Sequence, residues 1–171
     1  LFRSIRASDF GIARDRLSDE VRWGFLGFLA ALLPVYGVNI AVEMLGLREE
    51  GARHSIFVAL EKDASAELLA WVVLTVVVLA PLAEELLYRV ILQGWLENKL
   101  APQSAILFIA ILFAMVHFDP DEPGRPDHLP LFPLALILGF VYYRRHSYLT
   151  VVFLHATFNA TNLALALLSK G

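Results

Sequence analysis

"LLAWVVLTVVVLAPLAEELLYRV", residues 68–90, is an apolar run that ends on two adjacent carboxylates, Glu84 and Glu85, with Arg89 one turn later. Charge removed from water is costly, and ionisable groups at bilayer depth are rare, partnered and functional by default. Two further apolar runs carry the same kind of intrusion. His117 closes "AILFIAILFAMVH" (105–117), and His155 with Asn159 interrupts "YLTVVFLHATFNATNLALALL" (148–168). A carboxylate, two imidazoles and an amide are the types that act as base, orienter and oxyanion donor, so the pattern implies a membrane-embedded enzyme.

The chain as a whole agrees with a bilayer setting. Its 171 residues are 58% hydrophobic and 18% charged, with a mean hydropathy of +0.63, outside the range of soluble domains. An all-α, polytopic transmembrane bundle of about five helices fits this length, since one span takes about 20 residues. The net charge of -3 and the lack of a basic tract give no reason to expect a nucleic-acid partner. With no cysteine, disulfides, thiolate metal sites and a cysteine nucleophile are excluded. The opening "LFRSIRASDF" does not begin with Met, and the sequence is expected to be a segment of a longer protein.

Residues 1–22, rich in arginine and acids, read as a polar interfacial segment ahead of a transmembrane domain over 23–171. The first helix is expected from Trp23 to Leu47, interrupted at Pro34 and Gly37. A charged connection follows, with a short amphipathic piece around Ile56–Leu60. The second helix is expected from Ala66 to about Trp95, kinked or broken at Pro81 just before the carboxylates. Helix three is expected over Pro102–His117, with Pro102 in its first turn. The four prolines of "FDPDEPGRPDHLP" (118–130) place a loop next. Helix four is expected over Leu131–Tyr143 and helix five over Tyr148–Leu168. An inside N-terminus puts Arg3, Arg6, Arg14, Arg16, Arg22, Lys99, Arg144 and Arg145 on the cytoplasmic side of a cell membrane, and that bias favours N-inside.

Glu85 and Arg89 are four residues apart, share a face and make a favourable pair. Glu84 is then the unneutralised carboxylate, beside a like charge in low dielectric, which suits it to take up a proton as a general base. Tyr88, four residues after Glu84, is placed to hydrogen-bond it. The same spacing relates Phe113 to His117 and His155 to Asn159. An imidazole near Glu84 can hold and polarise a water, while a second imidazole with a carboxamide can donate to an oxyanion. Read singly, each has a plainer explanation: charges reaching for the interface, a helix-terminal histidine, interhelical hydrogen bonding, and packing for Phe113. Three such elements on three apolar helices favour a site. All seven aspartates lie in polar segments, and Ser104 and Ser147 sit at helix starts where capping explains them. Aspartyl-dyad and serine chemistries are therefore set aside.

"EELLYR" (Glu84, Glu85, Arg89), "FAMVH" (Phe113, His117) and "HATFN" (His155, Asn159) resemble, in order, the three motifs of the CAAX-protease and bacteriocin-processing family, also called Abi, over a core of about 66–168. The resemblance implies an intramembrane endopeptidase with Glu84 as base, His117 positioning the water, and His155 with Asn159 as the oxyanion site. Glu85, Arg89 and Phe113 would be supporting. It implies a peptide, lipidated or membrane-anchored protein substrate in contact with membrane lipid. The family is described both as metalloproteases and as metal-free glutamate proteases. A divalent metal such as zinc, if used, would take Glu84, His117 and His155, although the HExxH spacing is absent; water activation without an obligatory metal is the favoured expectation. Two rivals stand beside this reading: a non-catalytic immunity or scaffolding membrane protein, and a proton-coupled transporter. The latter would show internal symmetry, and no repeat is visible.

Overall fold

The computed structural model describes residues 17–49, 58, 60, 65–120 and 124–168. It is 85% helical, with no strands among the described residues. Among the described residues five long helices follow in order: α1 (Leu17–Met44), α2 (Ala66–Leu96), α3 (Pro102–Val116), α4 (His128–Arg145) and α5 (Tyr148–Leu168). Of these, α1, α2 and α5 are long and apolar enough to cross a membrane, and α3 is a shorter apolar helix. The chain is thus an all-α, polytopic helical bundle.

Several boundaries differ from expectation. α1 starts at Leu17 rather than Trp23, so the polar segment gives its last six residues to the helix, and Pro34 and Gly37 do not interrupt it. Packing explains the continuity: Ala31 and Val35, flanking the proline, are buried against α4 and α5 and outweigh one missing backbone bond. α4 is longer than expected at both ends. The amphipathic piece around Ile56–Leu60 lies outside the described residues except for Val58 and Leu60, both helical.

Two apolar clusters hold the bundle, and α4 belongs to both. Phe28, Ala31 and Val35 of α1 pack with Leu134, Leu138 and Tyr142 of α4 and with Val151, Leu154 and Phe158 of α5. Ile109, Ala110 and Phe113 of α3 pack with Ala135 of α4 and Tyr88 of α2. In lipid the association rests on close packing rather than on exclusion of water, which rewards small residues at the crossings. α1 meets α5 at such a crossing. A Cβ on Gly24 would stand 2.9 Å from the Thr150 carbonyl oxygen, and one on Gly27 would run into the Leu154 side chain. The outward surface of α2 is apolar, with Trp71, Leu74, Val78, Leu79, Leu87, Ile91 and Trp95 exposed, as a lipid-facing helix requires.

Ion pairs mark the two ends. Arg145 at the end of α4 contacts Asp19 at 3.0 Å and lies over the Trp23 ring, both near the start of α1. At the opposite end Arg48, just past α1, binds Asp127 at 2.8 Å, just before α4. α4 passes into α5 through His146, whose left-handed backbone (φ 46°) closes the helix, and Ser147, whose hydroxyl accepts the Thr150 N–H. That tight turn sets the register of α5 and so the depth of His155 and Asn159.

Candidate active site

Pro81 does not break α2. The helix continues through it by widening: Leu74–Leu79 and Leu86–Gln93 are π-helical turns, with ordinary α-helix at Ala80–Glu85 between them. Such wide turns absorb a lost bond and are frequent at functional sites. Here the Ala80 N–H bonds the Thr75 carbonyl, five residues back, and residue 81, as a proline, has no N–H to donate. Neither residue that would ordinarily serve the Val76 carbonyl is therefore available. The segment between the two wide turns carries Glu84 and Glu85.

The two carboxylates meet different surroundings. Glu85 is fully buried; Oε2 accepts from Arg89 Nε at 2.9 Å and Oε1 pairs with His155 Nδ1 at 2.8 Å. A carboxylate only accepts here, so Nδ1–H donates and His155 Nε2 faces away from Glu85. That nitrogen lies 4.0 Å from Oε2 of Glu84, a carboxylate whose side chain is 27% exposed. A water about 2.8 Å from each would bridge the gap. Glu85 thus orients the imidazole that stands beside Glu84. Arg89 is also fully buried, and its Nη1 and Nη2 have no hydrogen-bond partner among the described residues.

Phe113 is the hub on the α3 side. Its ring meets Tyr88 edge-on at 5.0 Å, lies 4.6 Å from the His117 ring and 6.0 Å from the His155 ring, and has the Arg89 Cζ 5.4 Å from its centroid. Tyr88 is taken up in this packing and makes no hydrogen bond to Glu84. α3 ends one turn beyond Phe113, which leaves His117 exposed on the edge of the cluster. Its Nδ1 contacts the Phe113 carbonyl at 2.7 Å; a carbonyl can only accept, so Nδ1–H donates and Nε2 is the ring nitrogen left open. No ion pair joins His117 to Glu84; His155 is the imidazole beside the carboxylates.

Asn159, one turn after His155 on α5, donates through Nδ2 to the Val76 carbonyl at 2.9 Å. At the start of the same helix the Tyr148 hydroxyl donates to the Leu82 carbonyl at 2.6 Å. Arg89, His117 and His155 thus surround the Phe113 ring, Glu85 bonds Arg89 and His155, Glu84 stands beside His155, and Asn159 is tied to the backbone of α2. Tyr148 was not among the residues singled out from sequence. Its signal was available, since it lies seven residues before His155 and so on the same helical face.

The donor types suit a divalent metal, but their arrangement does not. Among the described residues no three His, Asp or Glu side chains are grouped to hold one ion. Glu84 and His155 approach each other, whereas the contacts of His117 are with Phe113, at its ring and its carbonyl.

Comparison with known proteins agrees with the motifs. Residues 66–161 match the sequence profile of the family described as type II CAAX prenyl endopeptidase, Rce1-like. The chain is 32% identical over 83 residues, 48% of its length, to the UPF0177 protein YxdF of Lactococcus lactis subsp. lactis (strain IL1403). The matched region spans 42% of that protein. No solved structure matches the chain.

Proposed function

The chain belongs to the type II CAAX prenyl endopeptidase, Rce1-like family, and from that premise we propose that it is an intramembrane endopeptidase. It cleaves a peptide bond close to the surface of the cell membrane with a water activated by Glu84. One observation carries the reading. Glu84 is the open carboxylate of the cluster, set 4.0 Å from the Nε2 of an imidazole that a buried carboxylate holds in place. A general base needs that combination of access and a fixed neighbour.

Glu84 takes a proton from the water, and His117 Nε2 accepts the hydrogen bond of the water's other O–H. The water oxygen bonds to the scissile carbonyl carbon while the C=O electron pair moves onto the carbonyl oxygen. His155, when it carries both ring protons, donates Nε2–H to that oxyanion, and the second N–H of the Asn159 amide adds to it. On collapse the C–N bond breaks and the proton held by Glu84 passes to the leaving amine. Glu85 and Arg89 keep His155 in place, and Phe113 seats both imidazoles. The substrate is a peptide, or a lipidated or membrane-anchored protein, that reaches the cluster through the lipid-facing side of α2.

Reconstitution of the chain in proteoliposomes tests this, with a prenylated peptide bearing a C-terminal tripeptide and a membrane-anchored peptide as substrates. Glu84→Gln keeps the shape and removes the base, and the expected loss of turnover is about 10²–10⁴-fold. Equal product from wild type and variant would overturn the mechanism and favour a non-catalytic binding role.

A further inference from the structure

Among the described residues, three side chains on one face of α5, seven and four residues apart, hydrogen-bond to α2: Tyr148, His155 and Asn159. The middle contact is the imidazole–carboxylate pair already described. The outer two go to main-chain carbonyls on either side of Pro81, Leu82 from Tyr148 and Val76 from Asn159. These carbonyls differ in need. Leu82 already accepts the Leu86 N–H, so the Tyr148 hydroxyl adds a second bond there. Val76 is the carbonyl deprived of a backbone donor by the wide turn and the proline, and the Asn159 amide replaces that donor. An unsatisfied carbonyl in lipid is costly, so such a replacement has a structural reason of its own.

We propose that Tyr148 and Asn159 form a two-point splint across the Pro81 segment that fixes the rotation and height of Glu84. Tyr148 is then a positioning residue for the reaction, acting through the Leu82 carbonyl two residues before the base. Asn159 has a positioning role separate from any donation to substrate, through its bond to Val76. The Pro81 segment has no i−4 bond at its own nitrogen and lies between two wide turns, so these two contacts add to the restraint that Glu85 supplies through Arg89 and His155. The exposed side of α2 around the proline is apolar apart from Thr75, and α5 is the neighbour that contacts the helix on both sides of the proline.

The consequence for turnover rests on the endopeptidase reading, while the splint itself is testable without it. Tyr148→Phe removes one hydroxyl and leaves the ring. The expected result is a roughly tenfold fall in kcat with KM unchanged, as a small displacement of a catalytic group produces. Unchanged kcat in a preparation where Glu84→Gln is inactive would overturn the role of Tyr148.

The Asn159 arm needs no activity. Pro81→Ala restores a backbone N–H, so that Val76 regains a donor from its own helix in either helical register. Thermal unfolding in lipid nanodiscs is compared for the wild type, Asn159→Ala, Pro81→Ala and the double variant. Asn159→Ala should lower Tm clearly with Pro81 present and little in the Pro81→Ala background. Equal losses in both backgrounds would overturn the splint. If Glu84→Gln proved as active as the wild type, the catalytic reading would fail and this cycle would still decide the splint.

Discussion

Two arginine–carboxylate pairs of nearly equal length sit in opposite surroundings. Arg89 and Glu85 are 2.9 Å apart and fully buried between helices, whereas Arg48 and Asp127 are 2.8 Å apart with side chains 21% and 33% exposed at one end of the bundle. Distance alone would rank them as equals. Environment separates them, because water screens and replaces the outer pair and does neither for the inner one. The inner pair is also tied to function through His155, and the outer one to the connection between α1 and α4. A charge pair in the bundle interior is thus not evidence of a stronger fold; its value lies in what it holds in place.

The largest effect is expected from breaking the inner pair on one side. Arg89→Ala leaves Glu85 buried without its cation and should cost about 3–5 kcal/mol, measured by unfolding in nanodiscs. Replacing both residues together (Glu85→Leu with Arg89→Met) should cost less than the single change, although it releases His155 and activity should be lost. A loss below about 1 kcal/mol for Arg89→Ala would erase the contrast with the outer pair.

A much smaller effect is expected at the other end. Arg48→Ala should cost about 0.2–1 kcal/mol, and raising salt to about 1 M should shrink the difference from wild type. The inner pair should be insensitive to the same salt.

The outer pair should also titrate. Burial acts to raise the Asp127 carboxyl, but hydrogen bonds from Arg125 and Arg48 outweigh it and hold the group below its ordinary value of 3.8. A depressed folded value means that the stabilisation is fully present above the unfolded value and is lost as pH falls through the folded one. Below about pH 4, therefore, the tie between Arg48 and Asp127 should weaken, and Asp127→Asn should remove that part of the pH dependence. An unchanged acid profile in Asp127→Asn would sink the assignment.

Much of the architecture was legible in the residues. Apolar runs marked α2, α3 and α5 to within a residue or two, and Pro102 opened α3 as expected. Four-residue spacing put Glu85 with Arg89, and the structure has that bond. The helix was expected to run through Pro81 to about Trp95 and does so; of the two outcomes expected at the proline, a break does not occur, because the wide turns and a donor lent by a neighbouring helix make up for the bond it removes. The start of α1 was missed since Asp19 and Glu20 read as polar lead-in, whereas Glu20 is buried and accepts from Thr150. Tyr148 was named only as the start of a helix, because its partner is a main-chain carbonyl of α2, which side-chain spacing does not reveal.

By itself the order of residues determined which segments are helices and which side chains share a face, because helix periodicity and apolar content are properties of a chain read a few residues at a time. Only the assembled bundle decided that His155 turns to Glu85 and leaves Glu84 open, that Phe113 joins both imidazoles, and that Asn159 serves the carbonyl left bare near Pro81. Those outcomes depend on how far each helix is rotated and raised against its neighbours. Packing at Gly24, Gly27 and the His146–Ser147 turn sets that register, and no local pattern encodes it.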